Sequence, residues 1–275
     1  MRLRIDFAYD GTAFSGWAKQ PGLRTVEGEL TTALEKILRH DVRLVVAGRT
    51  DAGVHARGSV LHVDVEESAF HRLPGRSQRT PEAAAVTRLA GVLPADIVVR
   101  KVQQAPVGFD ARFSALSRRY SYTLTDEPSE LDPLQRSGIV VHKRQLDVSA
   151  MHLAAQQMLG LHDFAAYCKP REGATTIRNL LAYEWERRGP LVIGTIIADA
   201  FCHSMVRALV GGVVPVGEGK QTTDWPALVL GERRRNPAVT VMPPHGLCLE
   251  EVRYPADHQL SARAAAARCV RELPE

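Results

Sequence analysis

The chain is arranged around one stretch, Gly48-Arg49-Thr50-Asp51-Ala52-Gly53-Val54-His55-Ala56. It follows the apolar run 42–46 and precedes residues 59–65, and both neighbours have the composition of short strands. Its two glycines let the backbone bend sharply or approach a ligand closely, because glycine has no Cβ. The pattern therefore predicts a tight loop between two strands, with one carboxylate, Asp51, in its middle.

Two roles are open for Asp51 on this pattern alone. In a tight turn an Asp commonly hydrogen-bonds its own backbone, which is a structural role. Arg49, two residues earlier, could instead keep the carboxylate ionised through its positive charge. An ionised Asp on a fixed backbone is suited to act as a nucleophile.

The segments around this loop predict a first half that mixes strands and helices. Residues 3–9 alternate apolar and polar side chains, which is the period of a half-buried strand. Thr25 is a candidate helix N-cap, because the apolar residues after it share one helical face. Residues 81–93 predict a helix that begins with proline, and residues 97–102 predict a strand. The resulting order of strand, helix, strand, strand, helix, strand is typical of a ferredoxin-like unit.

The second half repeats this order loosely. Residues 118–124 predict a strand. Ser149 is a candidate N-cap of a helix that ends before Gly160. Two alternating runs joined at Gly189-Pro190 predict a hairpin.

Three further segments have competing interpretations. The run 201–211 predicts a helix in which His203 and Arg207, four residues apart, share a face. His162-Asp163 could indicate acid–base chemistry, but such a pair more often stabilises a helix end. The arginine-rich segment 68–80, broken by Pro and Gly, predicts a mobile surface loop.

Composition narrows the class of protein. The 275 residues are 45% hydrophobic, enough for one large domain or two modest ones, and the net charge of +4 permits an anionic partner without requiring one. The four cysteines form no Cys-x-x-Cys pair, so neither a zinc ribbon nor a redox pair is indicated. No apolar run approaches the length needed to cross a bilayer, and the N-terminus lacks an apolar signal core. We expect a cytoplasmic protein with no membrane contact.

Short motifs in both halves occur in a fixed order, which is more specific than any single motif. They lie at 9–20, 48–56, 109–122, 160–164, 201–207 and 246–254. In this order they resemble the motifs of the tRNA pseudouridine synthase A (TruA) family. Ala18 and Asp110 depart from the family pattern, which has Gln and His at these positions, and Met242-Pro243 differs from its usual Ala-Pro.

The resemblance implies an α+β fold, the pseudouridine synthase fold. It consists of two ferredoxin-like subdomains with abutting, mainly antiparallel sheets and a central cleft. We expect an N-terminal domain over residues 1–105, a C-terminal domain over 106–256 and a helical tail over 257–275. The resemblance also implies that Asp51 is catalytic, that Tyr120 stacks on the target uracil and that Arg207 pairs with Asp51. Arg49 is expected to bind substrate, either by holding a phosphate or by filling the space that a flipped nucleotide leaves.

The implied reaction is isomerisation of uridines in the anticodon stem-loop of tRNA to pseudouridine. The glycosidic bond breaks, the base rotates, and C5 bonds to C1′. Whether Asp51 attacks C1′, attacks C6 or takes a proton from C2′ is left open. The family implies a homodimer, and neither a metal nor a small-molecule cofactor is expected.

Two other classes of protein remain as alternatives. One is a non-catalytic RNA-binding protein on the same scaffold. The other is a small-molecule hydrolase in which Asp51 is the nucleophile and His55 or His162 is the base.

Overall fold

The computed structural model describes residues 1–170, 173, 175–269 and 273. The strands are β1 (Arg2–Tyr9), β2 (Leu44–Val46), β3 (His55–Asp64), β4 (Ile97–Gln104), β5 (Ser117–Thr125), β6 (Val140–Val141), β7 (Gly160–Asp163), β8 (Ile177–Arg188), β9 (Leu191–Ala198) and β10 (Leu247–Arg253). The α-helices are α1 (Val26–Leu38), α2 (Glu67–His71), α3 (Pro81–Ala90), α4 (Val148–Gln156), α5 (Met205–Gly217), α6 (Trp225–Gly231) and α7 (Leu260–Ala266). Mixed helices and mainly antiparallel strands confirm the predicted α+β class.

The described residues form two compact units. The first contains Met1–Leu116 and Leu249–Cys269, and the second contains Ser117–Cys248. In the first unit, α7 is held by a hydrogen bond from Ser114 Oγ to the Leu260 carbonyl. The helical tail is thus observed as far as its first turns, while residues 270–272, 274 and 275 lie outside the described residues. The expected domain limits 1–105, 106–256 and 257–275 stay a prediction.

The first unit has the strand order of a ferredoxin-like sheet. β1 pairs antiparallel with both β3 and β4, and β2 pairs with β3. One face of β1 is buried, because its apolar side chains alternate with polar ones as predicted. The sheet orders β4, β1 and β3 as neighbours, with β10 next to β3.

The segment 68–80 differs from its prediction. Its beginning belongs to the short helix α2, in which Ala69 and Phe70 are buried. These two apolar side chains anchor the start of the segment to the core, and the exposed residues 75–80 form its outer part. The prediction of a surface loop over the whole segment was therefore wrong at its N-terminal end.

Helix α1 begins where the sequence predicted. Thr25 Oγ1 accepts a hydrogen bond from the Gly28 amide at 3.3 Å, which satisfies one of the free N–H groups of the first turn. The amides of Val26 and Glu27 donate to the carbonyls of Gly16 and Trp17 at 3.2 and 3.0 Å. The N-terminus of α1 thereby holds the loop that follows β1.

The second unit has a sheet in the order β5, β9, β8 and β7, with β6 parallel to the end of β5. The predicted hairpin of β8 and β9 is confirmed, with Gly189 at φ +56° in its turn. The predicted cap of α4 was wrong. The cap is Asp147, whose carboxylate accepts from the Ala150 amide at 2.9 Å, and Ser149 lies inside the first turn.

Helix α5 begins four residues later than predicted. Its N-cap, Ser204, has φ +61°, a left-handed conformation that ends the preceding segment before the helix starts. His203 is exposed and lies outside the helix. The prediction that His203 and Arg207 share a helical face was therefore wrong.

Two cysteines that are far apart in sequence meet in the second unit. Cys168 and Cys202 form a disulfide, with 5.8 Å between their Cα atoms, and they are 34 positions apart in sequence. Sequence analysis did not predict this bond, because it considered only cysteines close together in sequence.

None of the helices within the described ranges combines the length and apolar character that a membrane crossing requires.

Candidate active site

Asp51 lies in the loop between β2 and β3, and its side chain is half-buried. The Ala47 amide donates to the Val60 carbonyl at 2.9 Å, which extends the β2–β3 pairing up to the start of the loop. Beyond Asp51, the Val54 amide donates to the Asp51 carbonyl at 3.2 Å and closes a turn. The predicted tight loop between two strands is confirmed.

A second loop, residues 10–17, holds the Asp51 loop on both sides. The Trp17 amide donates to the carbonyl of Thr50, immediately before Asp51, at 3.0 Å. The Gly53 amide, two residues after Asp51, donates to the Phe14 carbonyl at 3.3 Å. Backbone bonds on both sides restrict the backbone from which the Asp51 carboxylate projects, and a restricted backbone favours preorganised chemistry.

Two glycines make this close approach possible. A Cβ on Gly11 would lie 2.0 Å from the Val54 carbonyl oxygen, which is closer than a side chain can approach. Gly16 has φ +92°, and its Cβ would lie 3.0 Å from the Thr50 carbonyl oxygen. The first motif of the chain is therefore a support for the Asp51 loop, a role that sequence reasoning missed. The sequence feature that could have indicated this role is the presence of Gly11 and Gly16 among large aromatic residues.

Side chains strengthen the same contact. The Tyr9 hydroxyl and Thr50 Oγ1 are hydrogen-bonded at 2.7 Å in a buried position. Trp17 is 2% exposed and packs against Phe7 with 5.7 Å between the ring centroids. These buried aromatic rings connect the two loops to the core of the first unit.

The two histidines considered as bases have local structural contacts. His55 Nδ1 accepts a hydrogen bond from the Gly11 amide at 3.0 Å. His162 Nε2 lies 2.8 Å from the Leu159 carbonyl oxygen, close to the end of α4. The predicted role of His162 near a helix end agrees with this contact. Among the residues that the structure describes, no three His, Cys, Asp or Glu side chains gather where they could hold a metal ion.

Tyr120 lies on β5 in the second unit and is 6% exposed. It pairs with Ile196 of β9. The ring of Phe201 meets it edge-on, with centroids 5.2 Å apart and an interplanar angle of 89°. Such T-shaped pairs are favourable and fix the orientation of both rings.

Arg207 lies in the first turn of α5 and is half-buried. Its Nε donates to the Met242 carbonyl at 2.6 Å, and its own carbonyl accepts from the Met242 amide at 3.2 Å. Both ends of the residue are therefore tied to one segment, which limits the positions of the guanidinium.

Arg49 is exposed, and its side chain makes no hydrogen bond or ion pair within the described ranges. Arg49 and Asp51 belong to the first unit, whereas Tyr120 and Arg207 belong to the second. Their joint use in one site stays a prediction.

A family model described as tRNA pseudouridine synthase matches residues 7–114 and 154–255, which is more than half of the chain. The chain belongs to the tRNA pseudouridine synthase family. The matched ranges include Arg49, Asp51 and Arg207 but not Tyr120. The predicted family and the class of enzyme, an isomerase, are confirmed.

Curated members of the tRNA pseudouridine synthase family match along nearly all of the chain. A tRNA pseudouridine synthase A of Streptomyces griseus is 52% identical, and the alignment covers 100% of this chain and 95% of that protein. One of Frankia casuarinae is 51% identical, with 100% and 97% covered. One of Mycobacterium leprae is 46% identical, with 98% and 96% covered.

Proposed function

We propose that this chain converts uridine in tRNA to pseudouridine and that Asp51 is its catalytic residue. The observation that carries this proposal is the Asp51 loop, whose backbone is held on both sides by residues 10–17. A carboxylate fixed in this way is suited to act on a sugar or base carbon without rearrangement of the protein. Membership in the family supports tRNA as the substrate.

The proposed reaction requires access to a glycosidic bond that is hidden in stacked RNA. The target nucleotide therefore flips out, at a cost of about a few kcal/mol. Stacking of the uracil on Tyr120 offsets this cost by about 1–3 kcal/mol. Asp51 then acts on the nucleotide, the N1–C1′ bond breaks, the base rotates, and C5 bonds to C1′. C5 then loses its proton and N1 gains one, so that the product is an isomer of the substrate.

Arg207 is proposed as the partner of the Asp51 carboxylate. A guanidinium beside the carboxylate would favour its ionised form and fix its direction. Arg49 is proposed to contact a tRNA phosphate, since its guanidinium is exposed. We further propose that uridines of the anticodon stem-loop are the targets and that a cytoplasmic homodimer performs the reaction.

The test is single-turnover conversion of a tRNA transcript followed by nucleoside analysis. We expect Asp51→Asn to reduce pseudouridine formation by about 10³-fold or more, since it removes the reacting carboxylate and keeps its shape. Asp64→Asn is the matched control. It removes an exposed carboxylate of the same unit, which pairs with Arg2, and we expect near-wild-type conversion.

Near-normal product from folded Asp51→Asn protein would show that another residue carries the chemistry. Tight tRNA binding by the wild type without any pseudouridine would favour the non-catalytic RNA-binding alternative.

A further inference from the structure

Tyr122 makes a buried polar contact that core packing does not require. It lies on β5 and is 0% exposed, and its hydroxyl donates to the Pro243 carbonyl at 2.8 Å. Its ring also lies close to Gly246, where an added Cβ would be 3.0 Å from Cε1 of the tyrosine. The segment 242–246 therefore packs against the ring at Gly246 and is hydrogen-bonded to the hydroxyl at Pro243.

The same segment holds Arg207. The Met242 carbonyl accepts a hydrogen bond from Arg207 Nε at 2.6 Å, and the Met242 amide donates one to the Arg207 carbonyl at 3.2 Å. One helical turn later, a Cβ on Gly211 would lie only 1.7 Å from the Thr240 carbonyl oxygen. The face of α5 that carries Arg207 thus packs directly on the backbone of this segment.

The link between the two contacts is short and stiff. Met242 and Pro243 share one peptide bond, and the proline ring restricts φ of Pro243. The residue before a proline is also confined to extended conformations, which limits Met242. Pro244 follows and confines ψ of Pro243 in the same way, so a displacement of the Pro243 carbonyl moves the Met242 carbonyl that accepts from Arg207.

We propose that Tyr122 is a positioning residue that sets the direction of the Arg207 guanidinium through Pro243 and Met242. The proposal rests on the proposed function, because the direction of Arg207 matters only if Arg207 serves the reaction. Burial raises the pKa of the Tyr122 hydroxyl, an effect that the charge of Arg207 opposes. The hydroxyl thus stays protonated and acts as a donor.

The first test compares two tyrosine-to-phenylalanine variants in single-turnover conversion of a tRNA transcript. Tyr122→Phe removes one hydroxyl and keeps the ring, and we expect the rate constant to fall about five- to tenfold with unchanged tRNA affinity. Tyr167→Phe is the matched control. Tyr167 is also 0% exposed, and its hydroxyl donates to another proline carbonyl, that of Pro226, at 2.7 Å.

Both variants lose one buried hydrogen bond in the same unit, so a general loss of stability would affect them alike. We expect the control to keep its wild-type rate constant. Equal rate losses in the two variants, or a loss of affinity without a loss of rate, would overturn the proposal.

The second test asks whether Tyr122 acts through Arg207. In protein that carries Arg207→Lys, which removes the Nε donor and keeps a positive charge, we expect Tyr122→Phe to have almost no further effect on the rate constant. Additive effects of the two changes would contradict the proposed link.

A third measurement needs no activity. Hydrogen exchange of the Met242 amide, which donates to Arg207, should become faster in Tyr122→Phe and stay unchanged in Tyr167→Phe. Unchanged exchange in both variants would overturn the positioning role. If the wild type makes no pseudouridine, the proposed function fails, and the exchange result still decides whether Tyr122 holds the segment.

Discussion

Replacing Gly11 with alanine tests whether the loop at residues 10–17 positions Asp51. The added Cβ would lie 2.0 Å from the Val54 carbonyl oxygen and 2.5 Å from the carbonyl carbon. Since real Cβ atoms do not approach closer than 3.0 Å, the two backbones must separate by at least the 1.0 Å difference. That shift would break the hydrogen bond from the Gly11 amide to His55 Nδ1, now at 3.0 Å.

The expected loss follows from this displacement. Overpacking of this kind costs about 1–3 kcal/mol of stability, which a domain with a large core tolerates. Misplacement of a reacting group by about 1 Å costs about 100-fold in rate. We therefore expect Gly11→Ala to fold and to convert a tRNA transcript about 100-fold more slowly than the wild type.

The assay is single-turnover conversion at saturating protein, with denaturant unfolding measured in parallel. Gly22→Ala is the control on the same connection between β1 and α1. Gly22 has φ +71° and nothing within 4 Å of an added Cβ, so only backbone strain of about 1 kcal/mol is expected. Folded Gly11→Ala protein with the wild-type rate would refute the positioning of Asp51 by this loop.

Three further predictions concern stability and binding. The hydrogen-bonded Arg187 lowers the pKa of Asp126 from its ordinary 3.8, so the ionised carboxylate stabilises the protein above about pH 4 and this contribution is lost as acid protonates it. Asp126→Asn should therefore lower Tm at pH 7 and match the wild type at low pH. An equal difference in Tm at both pH values would contradict the ion pair. In Gly211→Ala the added Cβ would clash with the Thr240 carbonyl oxygen, so we expect the free energy of unfolding in denaturant to fall by about 2–3 kcal/mol. An unchanged free energy of unfolding would show that α5 can shift away from Thr240. Arg49→Ala should weaken tRNA binding and reduce the salt dependence of the affinity by about one counterion, while the single-turnover rate constant of bound tRNA stays unchanged. A lower rate constant would show that Arg49 takes part in the reaction itself.

Local sequence patterns predicted the elements that depend on neighbouring residues. The alternation of residues 3–9 predicted β1, and Thr25 predicted the start of α1, because a strand face and a helix cap are decided within a few positions. The hairpin at Gly189-Pro190 was predicted for the same reason. β1 pairs with β3, which follows the Asp51 loop, and β9 pairs with β5, which carries Tyr120.

Local patterns failed where one backbone angle or a distant contact decides the outcome. The left-handed conformation of Ser204 separates His203 from the helix of Arg207, and helical spacing cannot reveal it. Cys168 and Cys202 are paired by the path of the chain rather than by their spacing. Tyr122 lies on the strand predicted over residues 118–124, but the bond of its hydroxyl to Pro243 was not predictable, because the partner lies 121 positions away in sequence.

The order of amino acids by itself determined the family, the α+β class and the loop that carries Asp51, because these depend on motif spelling and on short-range periodicity. Tertiary structure alone decided what supports that loop. The bond between the Tyr9 hydroxyl and Thr50 joins residues 41 positions apart, and the glycines at 11 and 16 matter only because another backbone lies against them. Such contacts depend on where the chain returns in space, a property that only the packed core establishes.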